Sequence, residues 1–283
     1  MRVVCAGHVN WDVTLRVDSL PAPDGESVVT GRRESGGGSA ANVAVALTDL
    51  GVEASLLGSV GTDDQGERAR EELVAAGVDT DPLQVAEGRT AVKYLLVGET
   101  GEVAVVDDGG VNESFRVEAT PSALFEGAAV CHLTGQRPDT AARLAGLADE
   151  AGATVSFDPG RRFGERDYSA ALERTDLLFL NDREAECVPA LPADCRVVHT
   201  HGADGATLEG ADLLFEHPGY GLESVDTTGA GDAFAAGFHA ARLRGADVER
   251  SLAVANACGA LAAATPGPRP GLSWERVSEL VGG

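Results

Sequence analysis

Asp226-Thr227-Thr228-Gly229-Ala230-Gly231-Asp232-Ala233-Phe234 puts a carboxylate directly after three small residues, at the head of a run that stays helical to Leu243. Small side chains at 229–231 let backbone N–H groups close on an anion, and a helix starting there directs its positive end at the same point. A carboxylate beside that pocket, Asp232, can accept the proton of a hydroxyl attacking a phosphoryl group. The same residues also read as a helix N-cap with a glycine turn. A second small-residue turn, Gly36-Gly37-Gly38-Ser39-Ala40-Ala41-Asn42-Val43-Ala44, carries an amide into the first turn of another helix. Upstream, Gly7-His8-Val9-Asn10-Trp11-Asp12 places a carboxylate beyond the first apolar segment, where an ionised Asp12 can accept hydrogen bonds from hydroxyls. Asn181 and Glu184 are spaced as neighbours on one helical turn, and a capped helix start is the alternative reading. Thr200-His201-Gly202-Ala203-Asp204-Gly205-Ala206 forms a further glycine loop.

The elements that must position these residues alternate between strand and helix. Apolar runs predict strands at 2–6, 54–60, 128–133, 154–158, 176–180 and 196–199. Helical patterns fall at 40–50, 64–76, 139–151, 183–188, 230–243 and 248–264, with Gly51 and Gly77 ending the first two. This order predicts a mainly parallel sheet covered on both faces. Two extended, strand-rich segments break it: 12–33 with the turn Pro23-Asp24-Gly25, and 89–106 with Glu99-Thr100-Gly101. They predict a small appended sheet on one domain spanning 1–283. Thr134-Gly135 and Asp158-Pro159-Gly160 then line the carboxyl edge of the main sheet, where open α/β folds bind ligands.

Taken in order, these motifs resemble the two signatures of the ribokinase-like, or PfkB-type, carbohydrate kinases, from residue 7 to about residue 271. The resemblance implies a three-layer α/β/α domain with a small β-sheet lid. It implies an ATP-dependent kinase of a small sugar or sugar acid, with Asp232 as general base and the amides of Gly229, Ala230 and Gly231 as the anion hole. Asn10, Asp12, Gly37, Gly38 and Asn42 are the implied acceptor-binding residues. Thr200, Gly202, Gly205, Thr228 and Asn256 are the implied ATP contacts, although the small neighbours of Asn256 suit tight helix packing equally well. Asn181 and Glu184 would organise hydrated Mg²⁺, and many relatives bind K⁺ through backbone carbonyls beside the segment that here holds Asp226 and Thr228. In many relatives the lids of two subunits pack together, which implies a homodimer.

The acceptor is less sharply marked. Family members phosphorylate sugars, sugar acids, sugar phosphates and nucleosides, and Gly37-Gly38-Ser39 departs from the Gly-Lys-Gly step of ribokinases proper. Lys93, on a lid strand, and Arg161 read either as solvated residues or as cations facing an anionic acceptor, as does Arg162. A nucleoside or sugar-phosphate kinase is the alternative within the family. A catalytically silent binding or regulatory protein is the alternative outside catalysis.

Composition bounds the rest. The 283 residues carry 22 basic and 45 acidic side chains, a formal charge of -23, which repels nucleic-acid phosphate and anionic lipid. Lys93 is the only lysine. So acidic a surface, nearly without lysine, points to a halophilic cytoplasm, in which salt screens the self-repulsion. Five scattered cysteines without CxxC spacing argue against a disulfide framework or zinc site. The chain reads directly into its first strand, with no targeting segment and no membrane span expected.

Overall fold

A strand covered on both faces needs apolar side chains in both directions, and Arg2–Ala6 (β1) has them: Val3 and Cys5 join one core, Val4 and Ala6 the other. The computed structural model describes residues 1–100, 102–211 and 213–282. The other strands are Asn10–Val17 (β2), Val29–Gly37 (β3), Glu53–Leu57 (β4), Ser59–Val60 (β5), Gln84–Val85 (β6), Ala91–Val97 (β7), Val103–Asp108 (β8), Ala128–Thr134 (β9), Thr154–Asp158 (β10), Leu177–Asn181 (β11), Arg196–Thr200 (β12), Ala206–Gly210 (β13) and Leu213–His217 (β14). The helices are Ser39–Asp49 (α1), Asp64–Ala75 (α2), Pro138–Glu150 (α3), Ser169–Leu172 (α4), Asp182–Ala185 (α5), Ala230–Leu243 (α6), Val248–Ala263 (α7) and Trp274–Gly282 (α8).

Eight strands form the main sheet in the order β14-β13-β12-β11-β10-β9-β1-β4. Pairing is parallel from β4 to β12 and antiparallel through β13 and β14. Helices α1, α6 and α7 cover one face and α3 and α4 the other, giving the three-layer α/β/α architecture. Helices α6 and α7 approach closely because Gly237 has no side chain: a Cβ there would lie 2.6 Å from Cys258 Sγ. The strands β3-β2-β7-β8 form a separate four-stranded sheet, with β2 antiparallel to β3 and parallel to β7.

Three expectations need correction. The segment 54–60 is not one strand: Gly58 breaks it into β4 and β5, and β5 pairs with β6 instead of joining the main sheet. The small sheet is longer than 12–33 and 89–106, since its register runs from Asn10↔Gly37 and ends at Asp108. The short helix is Asp182–Ala185 and not 183–188: the Asn181 side chain caps its start, and it ends at the C-cap Glu186. Of the turn Glu99-Thr100-Gly101, Gly101 lies outside the described residues. The antiparallel pair β13–β14 and the helix α8 had no counterpart in the sequence reading. No helix is long and apolar enough to cross a membrane among the described residues.

Candidate active site

Thr134, Asp158, Asn181 and Thr200 are the last residues of four adjacent strands, in register as Thr134↔Asp158 and Asn181↔Thr200. The carboxyl edge of the sheet therefore carries one polar group per strand, and Gly7 follows the end of β1 on the same edge.

Asp232 is the third residue of α6, whose N-cap is Gly229 in the left-handed region at φ 77°. Only glycine fits there without strain, because a Cβ would also sit 2.5 Å from the Pro268 carbonyl oxygen. The Ala230 amide donates to Thr227 O at 3.2 Å, whereas those of Gly229 and Gly231 have no protein acceptor among the described residues. Of the three expected hole amides, Ala230 is thus engaged within its own turn, and Gly229 and Gly231 remain open to an anion.

The turn 36–38 delivers Asn42 to the same place. Gly38 adopts φ 95°, and a Cβ would run into the His8 carbonyl. Asn42 Nδ2 then donates to Asp232 Oδ2 at 2.8 Å. Burial raises the Asp232 carboxyl above its ordinary range, while the Asn42 hydrogen bond, Lys93, Ser39 and Arg269 hold it down.

Asp12 lies on β2, in a row across the small sheet formed by Ser35, Asp12, Lys93 and Asp107. Residues opposite one another share a face, so Lys93 shares the face of Asp12, and Tyr94 points to the other side. Burial pushes Asp12 up to about 6, against Lys93 and Arg269, and the nearby Asp232 adds to the rise. A side chain at Gly37 would collide with the Asp12 carboxylate, which explains the bare backbone there. Asn10 is buried and accepts a hydrogen bond from Asn112 Nδ2, while Asn112 Oδ1 takes the Val9 amide at 2.9 Å.

The acidic side of the cleft is held by α5. Asn181 Oδ1 accepts from the Glu184 amide and Glu184 Oε2 from the Asn181 amide, both at 3.0 Å, a capping box. The capped helix start and the paired polar groups are thus one feature, which leaves Asn181 Nδ2 and Glu184 Oε1 as the outward-facing atoms. Asp158 is pushed well above the carboxylate range by its enclosure, then by Glu184 and Asp232. The Asp158 and Glu184 carboxylates at this edge are oxygen donors of the kind a hydrated divalent cation takes. Arg161 lies close enough to Glu184 to favour its charged form, while Arg162 Nη2 stands 3.9 Å from Asp107 on β8. Of this arginine pair, Arg162 reaches the small sheet.

Thr200 Oγ1 donates to Leu180 O at 3.3 Å, and the loop after it turns through Gly202 (φ 59°) and Gly205 (φ 92°). Asp182 Oδ1 binds His201 Nδ1 at 2.7 Å and lies 2.9 Å from His199 Nε2, fastening this loop to α5. Asn256 is buried on α7 with Nδ2 donating to Leu252 O at 2.8 Å, which leaves its carbonyl oxygen free to accept from a ligand. Asp226 accepts from the amides of Thr228 (3.0 Å) and Gly267 (2.9 Å), which draws two loops together and leaves their backbone carbonyls as the cation ligands on offer.

Arg269 and Glu72 had no place in the sequence reading. Arg269 reaches Asn42 Oδ1 through Nε (3.3 Å) and Glu72 Oε2 through Nη1 (3.1 Å). Nothing in its spacing marks it, because it stands alone between prolines, 37 positions after Asp232.

The model of the pfkB family carbohydrate kinases matches residues 1–275. An ATP-dependent ribose-1-phosphate kinase of Halopiger xanaduensis is 54% identical over 99% of this chain and 98% of its own. A nucleoside kinase of Methanothermobacter thermautotrophicus is 30% identical over 87% and 84%. Among solved structures, the nucleoside kinase of Methanocaldococcus jannaschii superposes with a TM-score of 0.86 at 23% identity, covering 99% of this chain and 98% of that one. Arabidopsis thaliana ribokinase with ribose and ATP gives 0.85 at 21%, with the same coverage.

Proposed function

The chain belongs to the pfkB family of carbohydrate kinases, phosphotransferases that act on an alcohol group, and from that premise we propose that it transfers the γ-phosphate of ATP to a hydroxyl of a phosphorylated pentose such as ribose 1-phosphate. The observation that carries the choice of acceptor is the place of Lys93. The only lysine of an acidic chain shares a face with Asp12 and biases Asp232, and Arg269 lies buried beside the same two carboxylates. Arg269 is taken up by Glu72 and Asn42, whereas Lys93 makes no ion pair among the described residues and is left to offset the charge of a dianionic acceptor. The 54% identical ribose-1-phosphate kinase supports the same choice. A sugar phosphate therefore moves ahead of the neutral sugar, sugar acid and nucleoside.

In this reading Asp12 and Asn10 hold acceptor hydroxyls against the bare backbone of Gly37 and Gly38, and Lys93 faces the acceptor's anionic end. Asp232 Oδ1 takes the hydroxyl proton, a task suited to a carboxyl raised by burial. The amides of Gly229 and Gly231 face the negative charge that develops on the transferring group, at the positive end of α6. Asn181 and Glu184 would hold hydrated Mg²⁺ beside Asp158, and the ion neutralises phosphate charge when bound. Thr200, Gly202, Gly205, Thr228 and the carbonyl end of Asn256 line the nucleotide, and backbone carbonyls around Asp226 and Thr228 offer K⁺ a site.

The small sheet acts as a lid that excludes water from the cleft. Its exposed Tyr94 and Val106, opposite one another on the face away from Asp12, give a second copy an apolar surface to cover, which supports a homodimer through the lid. The reading keeps the cytoplasm as the place of action.

The test is ADP release in molar KCl with Mg·ATP. The panel holds ribose 1-phosphate, ribose, fructose, fructose phosphates, 2-keto-3-deoxygluconate, adenosine and cytidine. Ribose 1-phosphate is expected to lead, with turnover lost in Asp232→Asn. Lys93→Met is expected to raise its KM roughly 10- to 150-fold, the effect of one lost hydrogen bond to a charged group. Equal turnover of ribose and its phosphate would remove the anionic acceptor. Silence across the panel by a folded, ATP-binding protein would instead favour a regulatory protein on the same scaffold.

A further inference from the structure

We propose that Arg269 is a positioning residue for the base: held by Glu72, its guanidinium fixes the Asn42 carboxamide so that the NH₂ end faces Asp232. The proposal rests on the reading of Asp232 as the general base.

A carboxamide can turn over, exchanging a donor for an acceptor in the same volume. Beside Asp232 the two orientations are far from equivalent. One gives the carboxylate a hydrogen bond, the other sets a carbonyl oxygen against it. Arg269 decides between them because a guanidinium has only donors. Its Nε bonds Asn42 Oδ1 at 3.3 Å, so Nδ2 is left to meet Asp232 Oδ2 at 2.8 Å.

The guanidinium is itself fixed from both sides. Glu72 on α2 accepts Nη1 at 3.1 Å and, with the same oxygen, the Gly36 amide at 2.8 Å. The segment carrying Arg269 is stiffened by Pro266, Pro268 and Pro270. It is tied down by Gly267 N to Asp226 Oδ2 at 2.9 Å and Leu272 N to Asp49 Oδ2 at 3.0 Å. A Cβ on Gly36 would lie 2.7 Å from Arg269 Nη1, so the last turn of β3 is shaped around this cation. Four elements therefore converge on one carboxylate: β3 through Gly36, α2 through Glu72, α1 through Asn42, and α6, which carries Asp232. Arg269 Nη2 is buried without a protein partner among the described residues, so the two bonds through Nε and Nη1 are the ones that hold the guanidinium.

The groups that bear on Asp232 are Ser39 and Asn42 from α1, Lys93 from β7, Asp12 from β2, Asp158 at the end of β10, and Arg269. Removing Arg269 takes away a cation and releases Asn42. Both changes disfavour the carboxylate, so its titration moves to higher pH.

The experiment reads that titration in the folded protein without any acceptor, by carboxyl ¹³C NMR, with the Asp232 resonance identified from its loss in Asp232→Asn. Arg269→Gln is expected to move the titration upward by about one pH unit or more and to shift the Asn42 side-chain NH₂ resonances. It should lower kcat on the order of 10- to 100-fold, within the range of general-base contributions, with KM for ATP unchanged. Arg269→Lys keeps the charge without the planar fork, so it should recover most of the titration but not kcat. Glu72→Gln loosens the guanidinium and should fall between them, and it decides the matter should Arg269→Gln fail to fold. Unchanged Asp232 and Asn42 signals in folded Arg269→Gln and Glu72→Gln would overturn the proposal. Wild-type silence across the acceptor panel together with the shifted titration would instead overturn the kinase reading and leave the relay standing.

Discussion

Asn42 and Asp232, 190 residues apart in the chain, meet through a hydrogen bond of 2.8 Å that joins the first turn of α1 to the first turn of α6. Both turns begin at a glycine with positive φ, Gly38 and Gly229, and both side chains are delivered by a helix start rather than by a loop. The contact favours the charged form of the Asp232 carboxyl and brings the two distant glycine motifs together.

Replacing Asn42 by Ala removes a donor to Asp232 and leaves Arg269 Nε unpaired. The carboxyl then titrates higher, so the acid limb of the kcat profile moves to higher pH, and turnover at neutral pH falls on the order of 10- to 100-fold. A pH–rate series on the variant checks both. An unmoved limb would show that Asn42 contacts only the acceptor.

Asp12 should show a trade between stability and activity. Burial pushes its carboxyl up to about 6 in the folded chain, above the ordinary 3.8, so the folded chain holds the extra proton between those values. The stability that Asp12 contributes is fully present below pH 3.8 and is lost as pH rises through 6. Asp12→Asn should therefore match wild type in acid but exceed it by up to about 3 kcal/mol at pH 8, an order-of-magnitude figure. Urea unfolding at the two pH values reads the difference. The variant should also lose the acid limb near 6 in kcat/KM for the acceptor, because an amide does not titrate, and should turn over more slowly if the ionised carboxylate holds acceptor hydroxyls.

Gly229→Ala introduces a side chain at φ 77° and a clash with Pro268 O. Strain of about 1–3 kcal/mol is expected in thermal melts. Turnover should drop further, since the amides of 229 and 231 would be re-aimed by the same distortion. Gly231→Ala, at an exposed helical position where a Cβ meets nothing within 4 Å, is the control, with little loss of stability.

A charge of -23 over 283 residues should make stability rise with salt. The screening length falls from about 10 Å at 0.1 M to about 3 Å at 1 M, so Tm should climb steeply between those concentrations in KCl and NaCl alike. A K⁺ site at the 226–228 carbonyls adds a different signature: kcat higher in KCl than in NaCl at equal Tm. Equal kcat in the two salts would remove that site.

Much of the fold was legible because it depends on local periodicity. Thr154–Asp158 and Ala230–Leu243 were bounded correctly, since an apolar run between turn signals has few other uses and α6 is opened by its own glycine cap. Segment 54–60 was misread as one strand because hydropathy does not show that Gly58 must pass within 2.5 Å, measured from a notional Cβ, of Gly7 O. The antiparallel pair β13–β14 was missed because Ala206–His217 carries Gly210 and mixed polarity, and its strands exist through their pairing with β12.

The sequence by itself determined which polar groups stand at the glycine turns and helix starts, because a glycine turn followed by an acid on a new helix is a local device whose residue types must be adjacent. That covers Asp232, the Gly229 and Gly231 amides, Asn42, and the Asn181–Glu184 box. Only the tertiary structure decided what surrounds them. Lys93 proved to share a face with Asp12 through strand register, and Arg162 rather than Arg161 reaches the lid. Arg269, invisible in its proline segment, turned out to donate a hydrogen bond to Asn42. The physical reason is one of range: helix starts and turns are set by neighbours within a few residues, whereas the charge state of a buried carboxylate is set by whatever the fold brings within a few ångströms, from anywhere in the chain.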